Sequence, residues 1–222
     1  MPPELDNLLL VEYFLRQTRK RNPRVCFIGA AHGDADAGRL RFYAGFSRFR
    51  CRPTHLPLFA RTPRDLAGFI LEQDAIFVGG GNTRSMLAVW REWELDRHLR
   101  AAWERGVVLG GASAGSICWF DAGVTDSVAG PLTAMPCLGF VAGSNCPHYN
   151  SEPLRRPSYR RMVAQGKISD GVAADDGVAL HFEGTRLKRV VSSLPRASAW
   201  RVRKSGRRAI ETRLPARYLG RH

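Results

Sequence analysis

A chain of 222 residues with 44% hydrophobic side chains can close one sizeable core or two small ones, so disorder is excluded as the default state. No stretch approaches the roughly 20 apolar residues of a membrane helix, and Met1 to Asn7, with Glu4 and Asp6 and no basic cluster, does not read as a secretory leader. The formal net charge is +14, but nearly all the cations are arginines scattered along the chain, which a solvated surface or a small acidic substrate explains as well as nucleic acid does; nucleic acid is not expected as the main partner.

The spacing of Leu5, Leu8, Leu9 and Tyr13 predicts a helix over 5–20, stopped by Asn22-Pro23. Val25 to Ile28 reads as a buried strand entering the small-residue loop Gly29 to Gly33. Gly38 to Phe49 reads as a helix with Phe42, Phe46 and Phe49 on one side, and His55 to Phe59 as a strand weakened by Pro57. A third helix is expected over 63–72, with Thr62 as its cap. Ala75 to Val78 is a strongly apolar strand running into Gly79-Gly80-Gly81-Asn82-Thr83, followed by helices around Met86 to Trp90 and Leu95 to Arg105. Val107 to Leu109 is the next strand; Gly110 to Gly115 follows it, and Ile117 to Phe120 is read as the start of a helix. Residues 125–160 read as loops, Tyr159 to Gly166 as a short helix, and the region from Gly171 onward as antiparallel strands turning at Glu183-Gly184.

Recurring strand, glycine loop and helix imply an α/β fold with a mainly parallel sheet flanked by helices, and antiparallel strands at the C-terminal end. The whole of 1–222 is read as a single domain. Ligands of such sheets bind beyond the carboxyl ends of the strands, where both glycine loops fall. Five cysteines (Cys26, Cys51, Cys118, Cys137, Cys146) contain no C-x-x-C pair, so neither a zinc site nor a disulfide framework is expected. Reduced thiols without a leader point to the cytoplasm.

Gly111-Ala112-Ser113-Ala114-Gly115 is a G-x-S-x-G turn between a strand and a helix. Such a turn lifts the serine hydroxyl above the sheet edge, and Ser113 is the expected nucleophile. The Ala114 amide, at the start of the following helix, is a natural oxyanion donor. The triple glycine lacks the lysine of a P-loop; an amide of Gly81 fits better as a second oxyanion donor, with Asn82 as a helix cap. A serine nucleophile needs a base. His98 and the terminal His222 read as solvated, and His55 and His181 as strand-associated, which leaves His148 and His32. The acid that orients it is sought in Asp175-Asp176-Gly177 or at Asp126.

With these pieces in place the chain resembles the peptidase E (aspartyl dipeptidase) family, whose wider relatives include cyanophycinases. The resemblance rests on Gly79 to Thr83, Gly111 to Gly115, Pro147-His148-Tyr149 and Ala174 to Leu180, in that order. It implies a class I glutamine-amidotransferase-like sandwich and a metal-free, cofactor-free serine peptidase acting on short peptides. It also implies Ser113 as nucleophile, His148 as base, Asp176 as acid, and Gly81 and Ala114 at the oxyanion hole. Asp176 stands where the best-known members have glutamate. Aspartate-specific members place an arginine shortly after the histidine; ungapped register puts Ser158 there, with Arg155, Arg156 and Arg160 nearby but out of register, so aspartate preference does not follow. A serine esterase or amidase on the same site, or a catalytically weak binding homologue, is the alternative, and a homodimer is the default assembly on frequency alone.

Overall fold

The computed structural model describes residues 8–220, which divide between Ser116 and Ile117 into two units. The first unit contains α1 (Leu8–Gln17), β1 (Arg24–Ile28), α2 (Asp36–Phe46), β2 (Arg52–Leu56), α3 (Leu66–Leu71), β3 (Ala75–Val78), α4 (Thr83–Glu92), α5 (Leu95–Glu104) and β4 (Val108–Gly111). Its strands form a parallel sheet in the order β2-β1-β3-β4, with Phe27 between His55 on one side and Phe77 on the other. β1 is buried from Val25 onward, as a central strand requires. Val11, Leu15, Phe27, Phe42 and Phe46 close one core around it, and the Phe42 and Phe46 rings lie 4.4 Å apart. Pro53 lies within β2, which is tolerated because β2 is an edge strand.

The one-turn helix α6 (Ala114–Ile117) is followed in the second unit by β5 (Phe120–Thr125), β6 (Thr133–Pro136), β7 (Val141–Cys146), α7 (Arg155–Gln165), β8 (Gly171–Ala174), β9 (Val178–Glu183), β10 (Arg186–Ser192), β11 (Ser198–Ser205), β12 (Arg208–Pro215) and β13 (Arg217–Tyr218). Six strands make a mixed sheet in the order β12-β11-β8-β7-β5-β6, in which β5, β7 and β8 are parallel and the flanking pairs antiparallel. β9 and β10 form the expected hairpin, with β13 added along β10. Tyr159, Met162 and Val163 of α7 pack with Val124, Cys146, Ala173 and Val202 of the strands.

Several expectations are corrected. The start of the first helix, Leu5 included, the leader reading of Met1 to Asn7, and His222 lie outside the described residues. Asp65, not Thr62, caps α3, accepting the Gly68 amide at 2.8 Å; the Thr62 hydroxyl donates to the Pro57 carbonyl instead. Ile117 to Phe120 does not begin a helix: Ile117 ends a single turn and Phe120 already lies in β5, with Gly123 packed so closely on Ile117 that a Cβ there would overlap it. Residues 125–160 hold β6 and β7 as well as loops. α7 begins at Arg155, because Pro157 occupies its first turn, where a missing N–H is tolerated. Among the described residues no helix is long and apolar enough to cross a membrane.

Candidate active site

Ser113 follows β4 and precedes α6, at φ 55°, a left-handed conformation that non-glycine residues rarely adopt. Backbone bonds lock the turn. Ala112 donates to the Val78 carbonyl at 3.1 Å, Gly115 to Ala112 at 2.8 Å, and Ser116 donates to the Ser113 carbonyl through both its amide (2.9 Å) and its hydroxyl (2.8 Å). A side chain at Gly111 or Gly115 would run into the Val78 carbonyl, so glycine is required where the two chains approach. α6 is only four residues long. Negative charge at Ser113 would therefore be met by single amides rather than by the dipole of a long helix.

Gly81, at φ 132°, has no room for a side chain: a Cβ there would overlap the Ala31 carbonyl and the His32 ring. Asn82 donates to the Ala31 carbonyl at 2.8 Å and caps α4 by accepting the Ser85 amide at 2.9 Å, as its sequence position suggests. The amides of Gly81 and Ala114 have no acceptor among the described residues, although Ala114 is buried. A buried N–H without a partner is uncommon in a folded chain and is suited to receive an anionic oxygen.

In the second unit β7 runs through Pro147 to His148, at φ 56°. β8 runs into the turn Asp175-Asp176-Gly177, where Gly177 has φ 76°. His148 Nδ1 lies 2.7 Å from Asp176 Oδ1, the imidazole being buried and the carboxyl about a quarter exposed. A carboxylate accepts, so Nδ1–H donates, and Nε2 is the ring nitrogen that Asp176 does not engage. The neighbouring Asp175 turns the other way: its Oδ2 accepts the Ser198 amide at 2.9 Å. The two adjacent aspartates, alike in local pattern, thus face different partners.

The other candidates are placed differently. Asp126 is exposed and paired with the Arg155 guanidinium at 3.5 Å. His32 is exposed in the loop after β1, and β3 lies between that strand and β4, which carries Ser113. His55 faces the Tyr43 hydroxyl at 2.9 Å, and burial together with the Arg39 charge holds its pKa below the usual range. His181 lies in β9, its pKa likewise lowered chiefly by burial. Among the described residues no group of three or more His, Cys, Asp or Glu is arranged to hold a metal ion.

The arginines after His148 are occupied. Arg155 is buried, donating to Glu152 at 2.6 Å and to the Val124 carbonyl at 2.8 Å. Arg156 donates twice to Glu211 at 3.1 Å and lies over the Trp200 ring, while Arg160 approaches the same carboxylate at 3.5 Å. Ser158 is buried on α7. Sequence reasoning passed over Asn150 and Glu211, both of which bond to residues of this region; the signal for Asn150 was its place two residues beyond His148.

The sequence profile described as Peptidase family S51 matches residues 3–190. The chain is 49% identical over 217 residues to the uncharacterized peptidase YgaJ of Bacillus subtilis (strain 168), covering 98% of this chain and 94% of that one. Among solved structures it resembles a peptidase from an acI-B1 Actinobacterium with a TM-score of 0.72 and 16% identity, over 93% of this chain and 88% of that chain. It also resembles a protein provisionally named as a peptidase E, from Listeria monocytogenes EGD-e, with a TM-score of 0.56 and 18% identity, over 92% and 93% of the two chains.

Proposed function

Since the chain belongs to peptidase family S51, a family of serine peptidases, we propose that it hydrolyses short peptides in the manner of a dipeptidase, through an acyl-enzyme on Ser113. In this reading Ser113, His148 and Asp176 are the triad, Gly81 and Ala114 supply the oxyanion hole, and the two units work as one catalytic domain. The observation that carries it is the 2.7 Å bond between His148 and Asp176. Of the histidines and acids picked out by the sequence, these form the one base–acid pair found among the described residues.

His148 Nε2 takes the proton of the Ser113 hydroxyl as Oγ attacks the scissile carbonyl. The Gly81 and Ala114 amides receive the oxyanion, and Asp176 holds the imidazole in the Nδ1–H tautomer and balances its charge once protonated. His148 then gives its proton to the leaving amine. In the second half, His148 draws a proton from water as its oxygen attacks the acyl carbonyl; the bond from the acyl carbon to Ser113 Oγ then breaks, and His148 returns that proton to Oγ.

The occupied arginines after His148 support a preference for neutral rather than acidic N-terminal residues. Free thiols at Cys26, Cys51 and Cys146 suit the reducing conditions of the cytoplasm. A dipeptide panel with acidic and neutral first residues, run on wild type and Ser113→Ala, tests the reading. Cleavage of neutral dipeptides is expected, with turnover and fluorophosphonate labelling both lost in the variant. Undiminished labelling of Ser113→Ala would overturn the nucleophile.

A further inference from the structure

Asn150 lies two residues beyond His148, and its Oδ1 accepts the backbone N–H of Asp176 at 2.9 Å. Because the donor is an amide N–H, the oxygen of the carboxamide and not its nitrogen must face it. Two further bonds run between the same segments: Tyr149 N–H donates to the Ala174 carbonyl at 3.1 Å, and His148 Nδ1–H to Asp176 Oδ1 at 2.7 Å. Three consecutive residues after β7 thus grip the turn after β8. The far side of that turn is held by Asp175, which exchanges bonds with Ser198 at 2.9 and 3.1 Å. Asn150 is exposed, and its side chain bonds to the Asp176 backbone.

Aspartate has one methylene between backbone and carboxyl, so the place of its carboxylate follows its backbone closely. A shift of the Asp176 backbone would pass almost undiminished to the oxygen that receives Nδ1–H. We infer that Asn150 is a positioning residue for the peptidase reaction, fixing the Asp176 backbone at the point from which its carboxylate orients His148. This rests on the triad reading given above.

Asn150→Ala removes the acceptor from an exposed side chain, and the variant is expected to fold. Its kcat on a cleaved dipeptide should fall by about 10- to 100-fold, with KM within about twofold, because the loss lies in orientation rather than in substrate binding. The far-downfield proton resonance of the His148–Asp176 hydrogen bond, sought in the wild-type NMR spectrum, should broaden or vanish. Asn150→Asp keeps an oxygen acceptor at the same place and should return kcat to within about threefold. Adding Asp176→Glu to Asn150→Ala should also raise kcat, since the extra methylene lets the carboxylate make up the displacement. Wild-type kcat and resonance in Asn150→Ala, or a loss that neither second change restores, would overturn the inference. His148→Ala and Asp176→Asn, measured alongside, separate the two failures. If they keep full activity the triad reading falls; if they abolish turnover while Asn150→Ala does not, the role of Asn150 alone falls.

Discussion

Gly80 lies directly against Ser113: a Cβ built on the glycine would stand 2.9 Å from the serine Cβ and 3.5 Å from its Oγ. The loop after β3 and the elbow after β4 therefore share a boundary that has no room for a methyl group. Gly80→Ala must push the serine or its own loop aside, and displacements near 1 Å cost on the order of 100-fold in rate. We expect kcat/KM to drop by about that factor on a neutral dipeptide, with far-UV circular dichroism unchanged. Wild-type turnover would show that the loop yields freely.

Asp126 and His32 are expected to be dispensable. Asp126→Asn weakens an exposed contact to Arg155 and should keep kcat/KM within about threefold. His32→Ala, beside Gly81 but outside the proposed relay, should cost less than about tenfold. Asp176→Asn should lower kcat by about 10,000-fold, as loss of the orienting acid does in serine peptidases. Steady-state kinetics of the three variants on one substrate decides the order.

Arg155 is expected to matter for stability. Its buried guanidinium joins Glu152, the Val124 carbonyl and Asp126. Arg155→Ala leaves that carbonyl and Glu152 without their cation and should lower the unfolding free energy by about 3 kcal/mol. Urea denaturation of the two proteins measures the difference.

Asp74 makes the first unit acid-sensitive. Burial pushes its carboxyl up, but the Lys20 ammonium at 2.5 Å, the Arg24 amide at 2.8 Å and the charges of both residues outweigh this and hold its pKa below the usual value of 3.8. A group depressed in the folded state adds stability that is full well above the unfolded pKa and fades as pH falls through the folded one. The difference in stability between wild type and Asp74→Asn should therefore be constant near neutrality and shrink below about pH 4. Chemical denaturation from pH 3 to 7 follows it.

The thiols should divide by depth. Burial pushes Cys146 up to about 12 and raises Cys26 and Cys118 well above the ordinary thiol range. Iodoacetamide at pH 8 should modify Cys51 and Cys137 in the native protein and reach the other three only in denaturant. Peptide mapping after each treatment reads this directly.

Ser113 and the glycine loops were legible in sequence because a left-handed elbow and a close chain approach demand glycine and small residues, and those demands leave a spaced signature. β7 was not legible. Its Gly143-Ser144-Asn145 core has little strand propensity, yet Ser144 is buried against the Tyr159 hydroxyl at 2.7 Å and the Ser169 carbonyl at 2.6 Å, and Asn145 donates to the Val172 carbonyl at 3.2 Å. Those partners come from residues 15 or more positions away, beyond the reach of local pattern. Local pattern alone does not distinguish Asp176 from Asp175, and the resemblance singles out Asp176; in the structure the two face different distant residues, His148 and Ser198.

Under the proposed mechanism, the left-handed backbone at Ser113 and at His148 sets catalysis against thermodynamics. Each position holds an L-residue where only glycine rests easily, at about 1 to 2 kcal/mol apiece. Selection for heat resistance alone would remove the proposed nucleophile: Ser113→Gly should melt a few degrees above wild type while being inert. A survey of thermostable variants of this chain would then gather inactive proteins at these two positions, and their presence would mark where the fold gives up stability to keep its chemistry.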